Sequence, residues 1–120
     1  MDKLTNSPSI IILGSWTSNK EKTMNEPYIL TRENPDQVAV YNKALGRIKC
    51  RYTDGEIFHG YEDENNKTTY EILWEDERSI FIVSSYKSEK RAEWIHFNSP
   101  NDYWVQRGSF REWFVRDSST

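Results

Sequence analysis

Ile48-Lys49-Cys50-Arg51-Tyr52-Thr53-Asp54-Gly55-Glu56-Ile57-Phe58-His59-Gly60-Tyr61 is the stretch whose reading decides the fold. Ile48, Cys50 and Tyr52 alternate with Arg47, Lys49 and Arg51, the period of a strand with one face buried. Asp54-Gly55 then supplies the residue types that accept positive φ in a tight hairpin turn. A second strand over 56–61 follows.

Towards the C-terminus the same rhythm continues. Thr68, Tyr70, Ile72 and Trp74 share one face of a strand over 68–74. Glu75-Asp76-Glu77-Arg78 turns it into a strand over 80–86, and Lys87-Ser88-Glu89-Lys90 turns that into one over 92–97. Ser99-Pro100-Asn101-Asp102 leads into 103–107, and a last segment over 110–116 follows Gly108. Towards the N-terminus, 10–17 reads as the first strand. Gly14 within it marks a bulge or a close backbone approach. Residues 18–26 read as a polar loop and 28–31 as a strand. The segment 34–46 reads in two ways. Asn34 and Pro35 can cap a helix over 34–45, with Val38, Tyr41 and Leu45 on one face and Gly46 beyond its end. Alternatively 34–36 is a turn and 37–41 a strand, which the alternation on either side favours.

These segments predict an all-β fold, a small up-and-down meander barrel of about 8–10 short antiparallel strands. A sandwich needs the same alternation, but the hairpin-linked order suits a sheet that closes on itself and leaves no exposed edge. Residues 1–8 read as a polar lead-in, 9–117 as one barrel domain and 118–120 as a tail.

The 16 basic and 19 acidic residues give a net charge of −3, which argues against binding nucleic acid or an anionic membrane through a basic surface. The run Ile10-Ile11-Ile12-Leu13 is too short for a signal core or a membrane span. The simplest expectation is a cytoplasmic protein, with an export signal removed ahead of Met1 as the alternative. The single cysteine, Cys50, permits no intrachain disulfide, and its place in the alternation makes it a core residue. No cofactor or metal is expected. His59 and His96 lack metal-ligand spacing, and the acidic runs 62–64 and 75–77 lack the pattern of a calcium loop. No catalytic residue is assigned.

Gly14-Ser15-Trp16 resembles the Gly-x-Trp opening of the lipocalin and calycin group, and the length is nearer to its small bacterial members. The resemblance implies a first-strand tryptophan that plugs one barrel end, with a late basic side chain lying across its indole. Arg107 matches that position best, with Arg116 and Arg111 as alternatives. Gly14, Trp16 and Arg107 would therefore be structural. The C-terminal helix usual in that family has no counterpart in the pattern here.

On the alternation, Tyr52, Tyr70, Trp74, Trp94 and Tyr103 are expected to face the interior, with His96 on the Trp94 face. Together they would line an apolar cavity with a few polar handles. The leading expectation is non-enzymatic binding of a small apolar or amphipathic ligand. The second is a filled barrel serving as a protein-interaction module or homodimer. Its surface would come from the strand around Trp94, which is apolar on both faces. The third is a small isomerase or lyase that uses His59 or His96 as a general base.

Overall fold

A computed structural model describes residues 6–117. The polar lead-in expected over 1–8 falls mostly outside them, as does the tail at 118–120. Eight antiparallel strands follow one another round a closed barrel. They are β1 (Gly14–Ser18), β2 (Ile48–Tyr52), β3 (Glu56–Tyr61), β4 (Asn66–Glu75), β5 (Ser79–Tyr86), β6 (Glu89–Ser99), β7 (Asp102–Arg107) and β8 (Phe110–Arg116). Closure comes from β1 pairing with β8, in the register Trp16 to Arg116 and Ser18 to Phe114. From β2 to β8 the strands lie where the alternation puts them.

The segment before β2 is mainly helical, and this corrects four expectations. Helix α1 (Pro8–Ile11) and then Gly14–Ser18 replace the strand expected over 10–17. Helix α2 (Lys20–Met24) replaces the loop, and α3 (Pro27–Thr31) replaces the strand over 28–31. Helix α4 (Pro35–Ala44) settles the ambiguous segment against the strand reading. The reason is common to three of the four. Pro8, Pro27 and Pro35 each sit at a helix start, where the ring fixes φ and the missing N–H is not needed. Asn34 and Asn19 add side-chain caps to Asp36 N and Lys22 N.

One barrel end is plugged. Trp16 is fully buried, its indole N–H donates to Ile12 O at 2.8 Å, and its ring packs edge-on to Tyr103 at 4.7 Å. The arginine over that indole is Arg116, with its guanidinium carbon 4.3 Å from the ring centre. Arg107 does not take this part, because its position on β7 puts it towards the other end. Arg116 also donates to Leu13 O at 3.0 Å, to Pro100 O at 3.1 Å and to Ile11 O. Gly14 sits at φ +116°, and a Cβ there would meet the Arg116 guanidinium at 3.0 Å, so this crossing needs glycine.

Helices α2 and α3 clasp the outer face of β8. The Glu26 carboxylate accepts Arg111 N at 2.9 Å, Arg111 Nε at 3.1 Å, Arg111 Nη2 at 3.0 Å and the Trp113 indole N–H at 3.4 Å. The Thr23 hydroxyl accepts Trp113 N at 2.9 Å. This clasp explains why Trp113 is buried although it points out of the barrel. Helix α4 lies beside the other end, with Tyr41 against Phe110 at 5.4 Å between ring centres. Among the described residues no helix is long and apolar enough to cross a membrane.

Candidate ligand cavity

The barrel is not filled. A cavity of about 370 Å³ lies between the plug and the unplugged end. Its apolar lining comes from alternate residues of several strands, among them Ile57, Ile82, Val105 and Phe114. Tyr52, Tyr103 and Cys50 also line it, with the Cys50 sulfur 3.5 Å from the Tyr103 hydroxyl. Burial pushes the Cys50 thiol up to about 12, so it is no nucleophile at neutral pH. Burial likewise holds both phenols well above their ordinary range. Exposed residues at the adjoining ends of β5 and β6, Tyr86, Lys90 and Arg91, border the cavity at its open side.

Polar groups line opposite walls of this space, Arg107 and Glu93 on one and His59 and Thr68 on the other, with Lys49, Glu89, Lys90 and Arg91 also in its lining. On the β6–β7–β8 wall, Arg107 lies between two carboxylates. Its Nε donates to Glu112 at 2.8 Å and its Nη1 to Glu93 at 3.0 Å. Both glutamates are largely enclosed, at 15% and 13% side-chain exposure. Burial alone would lower the Arg107 pKa, but the two carboxylates outweigh it and raise the pKa above the ordinary value. Among the described residues, Arg107 Nη2 has no hydrogen-bond partner and is not sealed in, so it offers donors to the cavity. On the β3–β4 wall, His59 Nε2 lies 2.9 Å from the Thr68 hydroxyl. Burial lowers the His59 pKa and the charge of Arg91 lowers it further, so the ring is neutral at pH 7.

The expected site residues divide sharply. Tyr52 and Tyr103 line the cavity. Tyr70 is inside the barrel but off the cavity, packed on Tyr52, with its hydroxyl donating to Thr53 O at 2.7 Å. Trp74, Trp94 and His96 are on the outer face, which corrects three assignments. For Trp74 the cause is a bulge between Ile72 and Trp74 that shifts the register by one residue and turns every later side chain over. For Trp94 and His96 the cause is that both faces of β6 are apolar there. Ile95 and Phe97 take the inner face and are buried, while Trp94 stays 47% exposed.

These displaced residues form an aromatic band across the outside of the sheet. Trp74 meets Trp94 edge-on at 5.6 Å, His96 stacks between Trp94 and Trp104, and Trp104 leans on Trp113. His96 Nδ1 lies 3.0 Å from the Ser79 hydroxyl. Among the described residues neither histidine is hydrogen-bonded to a carboxylate, and the charge of Asp76 acts on His96 from a distance. Glu93 and Glu112 escaped the sequence reading, and Thr68 shares the inward face with Tyr70 there but has no role in it. Their signal was available once a face had been chosen, as polar residues at inward positions of β4, β6 and β8.

No protein-family model matches the chain, and no solved structure matches it.

Proposed function

We propose that the barrel binds a small amphipathic molecule in its cavity, in the manner of a lipocalin-like carrier. The observation that carries this reading is the roughly 370 Å³ space itself, lined by apolar side chains deep in the barrel and by charged and polar ones towards its open side. That volume falls within the range of small-molecule sites, and a mixed lining is what orients a ligand in an otherwise apolar pocket. The Gly14-x-Trp16 opening, the indole plug and its Arg116 cover support the family comparison. Tyr103, His59 and Arg107 would supply orientation, and Ile57, Ile82 and Phe114 contact area.

Native mass spectrometry of the protein purified from its own host tests this. Wild type is expected to carry a discrete bound mass, and Ser84→Trp, which places an indole in the cavity, to lose it. A bare wild type, or the same mass on both proteins, would overturn the reading.

The outer aromatic band favours a second reading, an interaction surface for another protein or a second copy. Trp74, Trp94 and Leu73 expose apolar surface together there. The cavity reading is preferred because the stacked rings of the band already occupy much of one another's faces.

A further inference from the structure

The charged residues of the cavity lining are unevenly matched. Lys49, Lys90, Arg91 and Arg107 stand against Glu89 and Glu93. Most of the cations are already engaged. Arg107 is held by Glu93 and by Glu112, which is not part of the lining. Lys49 donates to the Thr17 hydroxyl at 3.0 Å. Lys90 and Glu89 are exposed neighbours of opposite charge at the start of β6. Arg91 is left over.

The register fixes where Arg91 stands. Ile95 and Phe97 are buried on the inner face of β6, and alternation carries Glu93 and Arg91 to the same face. Arg91 lies opposite Ser84, another residue of the lining. Among the described residues no carboxylate pairs with its guanidinium, and Ser84 donates only to its backbone O, at 3.4 Å. Its charge nevertheless acts within the cavity, where it adds to burial in lowering the His59 pKa. The His59 ring engages Thr68 through Nε2, and its Nδ1 has no hydrogen-bond partner among the described residues. An unpaired guanidinium and an unspent ring nitrogen therefore share the open side of an apolar space. The Arg107 side is a poor seat for an anion, because two carboxylates already occupy that guanidinium. Arg91 carries none, and its planar fork of donors matches a carboxylate.

We propose that the ligand is an amphipathic anion, a compact apolar body bearing a carboxylate. The carboxylate would sit at the open side against the Arg91 guanidinium and within reach of His59. The body would lie deeper, against Ile57, Ile82, Val105 and Phe114. This deepens the cavity reading and rests on it.

Calorimetric titration at pH 7 with three probes of one skeleton tests the inference. They are 2-naphthylacetate, 2-(2-naphthyl)ethanol and 2-(2-naphthyl)ethylammonium. The carboxylate is expected to bind about tenfold more tightly than the alcohol, with the ammonium weakest. Arg91→Gln should remove that advantage and leave the affinity for the alcohol unchanged, whereas Arg91→Lys should keep part of it. Arg32→Gln makes the same change in net charge at an exposed residue outside the lining, and should keep the advantage whole. An alcohol or ammonium that binds as well as the carboxylate would overturn the inference and leave the cavity reading standing. So would a full carboxylate preference in Arg91→Gln, or an equal loss in Arg32→Gln. No binding of any probe would count against the cavity reading, and the inference would fall with it. Should Arg91→Gln fail to fold, Arg91→Lys and the wild-type ranking decide the matter.

Discussion

Two arginines from neighbouring strands mark the two halves of this barrel. Arg116 lies over Trp16 at the plugged end and spends its donors on the backbone carbonyls of Ile11, Leu13 and Pro100. Arg107 faces the cavity and spends two donors on carboxylate side chains, keeping Nη2 open. Carbonyls fixed in the backbone make Arg116 a fastening for the plug. Ionisable side chains beside an empty space make Arg107 part of a surface that another molecule can complete. Residue type alone does not separate the two; the partners do.

The comparison can be broken most strongly at the plug. Trp16→Ala should cost about 3–5 kcal/mol of unfolding free energy, the range for deleting a buried aromatic side chain. Arg116→Ala should cost about 2 kcal/mol, since its hydrogen bonds are charge-assisted. At the cavity, Glu112→Gln should change stability by no more than about 1 kcal/mol, because Arg107 keeps Glu93. Urea denaturation of the three variants checks the contrast, and equal losses at both ends would erase it.

The clasp over β8 comes next. Glu26→Gln should cost about 1–2 kcal/mol, because the carboxylate gathers donors from Arg111 and Trp113. Burial alone would raise its pKa, but those hydrogen bonds and the Arg111 charge prevail and hold it below 4.5. A lowered folded-state pKa means that the contribution is complete above the ordinary value. It is lost as pH falls through the folded one. The advantage of wild type over Glu26→Gln in thermal melts should therefore shrink on acidification. An advantage that grows there would contradict the assignment. The smallest effect is expected on the outer face. Trp94→Ala should cost about 1 kcal/mol, the scale of its ring contacts with Trp74 and Phe81, and should leave cavity binding intact.

From Ile48 onward, alternation and turn residues gave the strand order, because a half-buried strand writes its period directly into the chain. Three things escaped it. The short helix 27–31 contains Tyr, Ile and Thr, whose preferences favour strand. Only Leu30 and the proline at the helix start spoke against that reading. The bulge at Leu73 adds one residue without altering composition, yet it moves Trp74 from inside to outside. On β6, Trp94 and Ile95 are both apolar, so period alone could not choose the inner face, and the cavity inherited the wrong tryptophans. Closure then placed Glu93 and Glu112 on either side of Arg107, a cross-strand relation that no local spacing shows.

Methyl-resolved NMR during titration with 2-naphthylmethanol tests the inner cavity most directly. The account predicts saturable shifts at the Ile57, Ile82 and Val105 methyls, with Leu73 and Val83 on the outer face unmoved. Shifts confined to the outer methyls, or none at any concentration, would contradict it.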